Sequence, residues 1–229
     1  MAPKVINQYV GPLSIEQAAE GIRVARENAR TLVADAELLL EHQRWPRATS
    51  LAILAIEEAG KVPAIRALLL ARDANEIRDE WRAYRSHTKK NVLWILPDLA
   101  AKGARFLEDL SPIMDPGSDH PQVLDSVKQV GFYTDAYGKC RWSLPGTDIP
   151  EDFARSFVGL ARVLTTGGEG LTTAEELALW VKHMRPVWKG PKWEMSQALA
   201  ACYQEAAELG VLRGNNSASD MTKFLFGIE

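Results

Sequence analysis

A chain of 229 residues with a formal net charge of −3 is long enough for one large or two small domains around a sizeable core. Its charge argues against a coat of basic residues for wrapping nucleic acid, while leaving a local basic site open. No run approaches the roughly 18 to 20 apolar residues of a membrane span, and the opening MAPKVINQYVGPLS has no apolar stretch of signal-peptide length, so a cytoplasmic protein without a membrane partner is expected.

In chain order, Ile15, Ala18, Ala19, Ile22, Ala25, Ala29, Leu32, Val33, Ala36, Leu39 and Leu40 recur at threes and fours. The spacing predicts a long amphipathic helix over residues 14–43, with Ser14 as N-cap and Gln17 completing a capping box. RWPR interrupts it, and its proline suits the first turn of a second helix reaching about Ala71. The segment ANEIRDEWRAYRSHTKKNVLWILPDL reads as a third helix, bent or divided near His87 and ended or kinked at Pro97. SPIMDPGSDHP reads as an exposed, turn-rich loop, followed by a short helix near 122–130.

GFYTDAYGKCRWSLP is the one convincing β signal, a hairpin turning through Asp135 and Gly138 and expected to pack against helices. Helices are predicted near 151–164, 173–183 and 193–209, with TTGGEG as a flexible joint between the first two and an Asn/Ser-rich tail after Leu212. Cys140 and Cys202 stand apart, without a Cys/His spacing suited to zinc, and read as ordinary thiols.

The stretch RATSLAILAIEEAGK, residues 47–61, poses the main chemical problem. At about 3.6 residues per turn, Leu51, Ala55, Glu58, Val62, Ile65 and Leu69 share one helical face, so Glu58 points where a core residue belongs. A buried carboxylate needs a partner or a proton. Lys61 and Arg47 are at hand on the same helix. A richer source is RDEWRAYRSHTKK, which carries Arg78, Arg82, Arg85, Lys89 and Lys90 against only Asp79 and Glu80, with His87 among them.

Two readings fit this cluster. One is a solvated basic face locked to the second helix through Glu58. The other is a phosphodiester-cleaving site, in which arginine grips phosphate with its planar fork and histidine moves a proton near neutral pH.

RATSLAILAIEEAGK, RAYRSHTKK and VKQVGFYTDAYGKCRWSLP occur in the order and at the approximate separations of AbiV-type abortive infection proteins, and over roughly residues 40–205 the sequence resembles that branch of the HEPN superfamily. The resemblance implies a mainly all-α fold: a HEPN-like antiparallel helical bundle with one small β-hairpin insertion and a helical C-terminal extension. It is expected as one domain, with a core at about 14–110, the hairpin at about 131–145 and the extension at about 149–212.

HEPN ribonucleases carry an arginine, four to six intervening residues and a histidine, generally brought together across a dimer. Arg82 and His87 match that spacing as catalytic residues, with Ala83 where active members often have a polar residue. A separation of five sets two side chains roughly 140° apart on a straight helix, so either a break in the helix or a partner chain must bring them together. The resemblance also casts Glu58 as an acid that holds the basic helix in place, and Lys61 as its partner or a phosphate contact. Glu57, Glu58, Lys61, Arg85 and Lys90 are expected to bind substrate or support the site.

The resemblance further implies a bacterial antiphage effector that arrests growth or translation. Its expected partners are RNA as substrate, a second copy in a homodimer and a phage-encoded activator protein, and no cofactor or metal is expected. Lys128, Tyr133, Asp135 and Trp142 fall in the resembling segment, against the plainer reading of a packed aromatic hairpin with a turn aspartate. His42, His120 and His183 have no metal-ligand spacing, TTGGEG lacks the Walker lysine, and no GxSxG elbow occurs. A non-enzymatic protein that blocks translation by binding stays open as an alternative, as does a helical scaffold.

Overall fold

The computed structural model describes residues 7–166, 170–212 and 217–227, and these form a mainly helical protein with a single small hairpin. Helix α1 (Ile15–Glu41) opens on the expected capping box. Ser14 Oγ accepts from the Gln17 N–H at 3.2 Å, and the Ser14 N–H donates to Gln17 Oε1 at 2.9 Å. Its buried stripe, Ala18, Ile22, Ala25, Ala29, Val33 and Ala36, is rich in alanine, which lets neighbouring helices approach closely.

α2 (Trp45–Ala59), with Pro46 in its first turn, runs through the centre, packed by α1 and by two later helices, α7 and α9, whose ranges follow. Burial extends around most of its circumference, from Ala48, Thr49 and Ser50 to Ile53, Ile56 and Glu57.

The sequence predicts one helix to Ala71, but α2 ends at Gly60 and α3 (Lys61–Leu70) begins anew. Pro63 has no N–H to continue the ladder onto Ala59, and its ring would crowd that carbonyl. Gly60 also lets another chain segment in: a Cβ there would lie 1.7 Å from the Lys90 carbonyl oxygen. α4 (Ala74–Arg85) is capped by Asp73, whose Oδ1 accepts from the N–H groups of Asn75 and Glu76. Ser86 is extended, and α5 (His87–Lys90) restarts the helix, so the predicted division near His87 is present.

Pro97 opens α6 (Leu96–Ala101) from its first turn instead of ending a helix, consistent with the missing N–H being an orphan there anyway. The turn-rich segment is less open than its composition suggests. Residues Leu107–Met114 wind into a 3-10 helix with Ile113 buried, and His120 and Pro121 are buried at the start of α7 (His120–Phe132).

The hairpin pairs β1 (Ala136–Tyr137) with β2 (Arg141–Trp142) antiparallel, Ala136 opposite Trp142, with Gly138 and Cys140 at positive φ in the turn. Its strands are exposed, contrary to the expected packing against helices, with Trp142 68% accessible. The base is tied by Asp135 and Ser143, whose backbone and hydroxyl groups exchange hydrogen bonds of 2.8 and 2.9 Å.

After α8 (Pro145–Asp148) come α9 (Glu151–Thr166), α10 (Ala174–Met184), α11 (Lys192–Glu208) and α12 (Ala218–Phe226). Of the predicted TTGGEG joint, residues 167–169 lie outside the described residues, as do 213–216 of the predicted tail. The main apolar cluster joins Val33, Ile53, Ile56, Leu124, Phe157 and Val158 from α1, α2, α7 and α9. A second joins α1 to α3 and α10, and a third joins α10, α11 and α12. Among the described residues no helix is long and apolar enough to cross a membrane.

The crossing of α7 over α2 depends on Gly131. A Cβ there would meet Ser50 Oγ at 2.1 Å and the Pro46 carbonyl oxygen at 2.6 Å. Ser50 Oγ instead donates to the Lys128 carbonyl at 3.0 Å, fixing α7 over the first turns of α2. Gly60→Ala is therefore expected to lower stability by about 1–3 kcal/mol, because backbone must move. Gly159→Ala, in α9 with open space around it, should raise stability by up to about 1 kcal/mol through helix propensity. Urea unfolding of the two variants checks the contrast.

Candidate functional site

The C-terminal end of α2, the short α5 and the middle of α7 bring a charged cluster together. At its centre is Glu57, only 2% exposed. Its Oε1 accepts from Lys128 Nζ at 2.6 Å, and its Oε2 lies 2.6 Å from His87 Nδ1. Lys128, itself buried, also pairs with Asp125 at 2.6 Å. Burial alone would depress the Lys128 ammonium, but hydrogen bonds to Asp125 and Glu57 outweigh it and leave its pKa above the ordinary lysine value.

The face assignment from the sequence is corrected here. Glu58 is part-exposed and pairs with Lys61 one turn on, at 2.6 Å, while its neighbour Glu57 is the buried acid. Because α2 is enclosed on several sides, its apolar stripe does not mark one inner face, and after the break at Gly60 the residues Val62, Ile65 and Leu69 belong to another helix. The role foreseen for Glu58, an acid anchoring the basic segment, has its geometric counterpart in Glu57, which grips His87 directly.

His87 is held at one nitrogen and open at the other. Its side chain is 57% exposed, and among the described residues nothing is hydrogen-bonded to Nε2. With a carboxylate accepting at Nδ1, that nitrogen is the donor of the pair and Nε2 is left to other partners. That arrangement fixes both tautomer and ring orientation, as a proton-transfer histidine requires.

Arg82 does not join His87 within this chain. It projects from α4 with a 73% exposed side chain and donates to Asp79 at 2.9 Å. Arg85 donates to the Tyr9 carbonyl and stacks its guanidinium 4.9 Å from the Trp81 ring, while Trp81 Nε1 donates to the Gly11 carbonyl at 2.9 Å. Val10, Arg78, Trp81, Arg82, Arg85 and Ser86 line a shallow groove of about 460 Å³ that ends at the residue before His87.

Lys61, besides pairing with Glu58, lies 5.5 Å from the Tyr84 ring centre. Lys90 is 7% exposed, and its pKa is pushed below the ordinary lysine value, first by burial and then by the nearby Lys61 ammonium.

Asp125 is the site residue that the sequence reading missed, although its i,i+3 spacing to Lys128 in DSVK was a signal. Lys128 was visible only through the family resemblance; it is a buried structural cation in α7, not part of the hairpin. Donor atoms of Glu57, His87 and Asp125 lie within 4.8 Å of one another, a grouping able to take a metal ion, but the Lys128 ammonium already bridges the two carboxylates. Tyr133 and Trp142 are exposed, and Asp135 serves the hairpin base, its Oδ1 accepting from the Ala136 N–H.

The remaining histidines are engaged elsewhere: His42 with the Leu38 carbonyl, His120 with Ser118 and Val92, and His183 with Glu205. Burial pushes the Cys202 thiol up to about 12, which makes it inert.

The family model HEPN_AbiV, described as AbiV, matches residues 17–166, a span that contains every residue of this cluster. The chain belongs to the AbiV family, and membership points to abortive-infection defence. No curated protein and no solved structure matches it.

Removing Glu57 leaves the buried Lys128 with Asp125 alone and His87 without its acceptor, so Glu57→Ala is expected to cost about 3 kcal/mol. Glu58→Ala, which breaks a single part-exposed pair, should cost about 1 kcal/mol or less. Urea titrations of both variants check this order. The raised pKa of Lys128 sets a pH dependence as well: its contribution to stability is whole below the ordinary lysine value and is lost as pH rises through the elevated one. Alkaline unfolding curves of the wild type and Lys128→Met should therefore converge at high pH.

Proposed function

We propose that this protein is an antiphage effector that cleaves RNA, with His87 as the proton-transfer group. The observation that carries this reading is the Glu57 contact to His87 Nδ1, which leaves Nε2 of a half-exposed ring without a hydrogen-bond partner among the described residues. In the proposed step the ribose 2′-oxygen attacks phosphorus, its proton passing to a base, and the O5′ leaving group departs with a proton from an acid. The products are a 2′,3′-cyclic phosphate and a 5′-hydroxyl, with His87 serving one of the two proton transfers. Arginine stabilises the charge that grows on the phosphorane oxygens.

Because Arg82 is turned toward Asp79 and away from His87, the complete site is proposed to form in a homodimer, in which a second chain supplies the missing group. A metal-independent mechanism is proposed on the residues themselves: the cation between Glu57 and Asp125 is the ammonium of Lys128. Activation by a phage-encoded protein belongs to the same proposal, resting on the family.

A second reading has an observation of its own. Tyr133, Trp142 and Leu144 are each more than half exposed around the hairpin, an apolar surface suited to a protein partner. It favours a non-enzymatic interaction protein that blocks translation after activation.

Purified protein incubated with total cellular RNA in EDTA, with and without the infecting phage's proteins, separates the two. Discrete fragments with cyclic phosphate ends support cleavage, and intact RNA with stalled translation supports the interaction protein. His87→Ala is expected to reduce cleavage by about a hundredfold or more and to abolish growth arrest with fold and dimer preserved. Arg82→Lys should fail too, since lysine keeps the charge but loses the fork. Full toxicity of a folded His87→Ala protein would overturn the ribonuclease reading, and a toxic monomer in light scattering would remove the shared site.

A further inference from the structure

Residues 7–13 precede α1 and lie outside the span matched to the family, which begins at residue 17. They belong to no helix or strand, and among the described residues they make no backbone–backbone hydrogen bond. The side chains of α4 hold them instead. Trp81 Nε1 donates to the Gly11 carbonyl at 2.9 Å, the Arg85 guanidinium donates to the Tyr9 carbonyl, and the Tyr9 ring stands edge-on to the Trp81 indole with centroids 6.0 Å apart. The Tyr9 ring is folded back along its own segment, its hydroxyl donating to the Pro12 carbonyl at 2.7 Å. Val10 forms one wall of the groove that Arg78 and Arg82 also line.

Trp81 is the buried residue of a helix that is otherwise exposed or half-exposed, and Arg85 stacks on its ring. An indole carrying a guanidinium, with N–H donors on both, suits a ligand that offers an aromatic ring and oxygen acceptors. Residues 7–13 offer a phenol ring and two carbonyl oxygens. Single-stranded RNA offers the same combination, in bases that stack on aromatic side chains and oxygens that accept from arginine. The segment is lightly held, with Tyr9 53% and Val10 62% exposed, and two hydrogen bonds of this kind contribute only modestly. Leu13, packed against the cluster of α1, α3 and α10, fixes the end that joins α1.

We propose that residues 7–13 are an autoinhibitory strap, which occupies the Trp81 and Arg85 surface and has to lift before single-stranded RNA reaches it. The inference rests on reading this protein as one that acts on RNA, and it adds a regulatory step to that reading. Strap and RNA exclude each other at one surface, so a seated strap lowers the apparent affinity for RNA by the fraction of time it is open.

Two strap variants leave α4 and the His87 cluster untouched. Tyr9→Ser removes the ring from Trp81. Gly11→Ala drives it off, since a Cβ there would lie 2.6 Å from the Tyr9 hydroxyl oxygen. Binding of a short single-stranded 2′-O-methyl RNA, which resists cleavage, is measured by fluorescence anisotropy for the full-length wild type and both variants at one ionic strength. In the wild type the strap is also followed directly, through the rate at which chymotrypsin cuts after Tyr9 with and without the same RNA, read by intact mass.

Both variants are expected to bind about tenfold more tightly, the gain for a strap seated roughly nine-tenths of the time, and RNA should speed the cut after Tyr9. Binding by either folded variant that is no tighter than wild type would overturn the inference, as would a cutting rate that RNA leaves unchanged or slows. Release by phage proteins and not by RNA makes the segment a protein-docking element and overturns it too. If the variants do not fold, the cutting rate of the wild type decides. Cleavage of cellular RNA is scored separately: tighter binding by the variants without cleavage keeps the strap and ends the ribonuclease reading, and cleavage by variants that bind no tighter does the reverse.

Discussion

The buried pair of Glu57 and Lys128 is the contact on which the arrangement of the site depends. It joins the central helix α2 to α7, and through the second oxygen of the same carboxylate it fixes His87 on α5. Three elements separated by up to 71 residues in the chain are thus referred to one side chain. A buried ion pair is weak evidence for net stability, since desolvation offsets most of its attraction. Its value lies in specificity of arrangement: a carboxylate with both oxygens engaged permits one placement of α5 relative to α7. Asp125 adds a second carboxylate at 2.6 Å from the Lys128 ammonium, one turn earlier on α7.

Around this pair the backbones approach closely at two glycines. Gly131 brings α7 down onto Pro46 and Ser50, and Gly60 brings the α2–α3 corner onto the Lys90 carbonyl. Both positions demand the absence of a side chain, not an unusual backbone angle. With Ser50 bonded to the Lys128 carbonyl, the main chain of α7 is fixed at the same residue whose side chain reaches Glu57. Packing and electrostatics therefore specify the same register, the kind of agreement between levels that makes a structure unique.

Helical content, the capping box at Ser14, the division near His87 and the positions of the later helices were legible in the sequence because they rest on local signals: periodicity, caps and proline. The burial of Glu57 in place of Glu58 was not. A single helix packed from several sides has no one apolar face, so adjacent positions are distinguished only by what the rest of the chain brings to them. In this case that is Lys128, far away in sequence. The Gly60 break was foreshadowed by Pro63 but masked by a long apolar run. The exposed hairpin went the other way, since an aromatic-rich segment reads as core when it is a surface feature.

The separation of Arg82 from His87 follows from the same geometry that orders the histidine. Ser86 leaves the helix so that His87 can turn inward to Glu57, and this turn detaches the histidine from the α4 surface on which Arg82 and Arg78 sit. The expected division near His87 thus puts the two residues on two elements, His87 held by the buried Glu57 and Arg82 at the surface, paired with Asp79. On the proposed ribonuclease reading, the anchored ring would serve proton transfer, which needs a fixed orientation, and the exposed arginine would reach a phosphate or another chain. The extended Ser86 between them is what makes this separation, since it ends α4 three residues after Arg82 and lets α5 begin at His87.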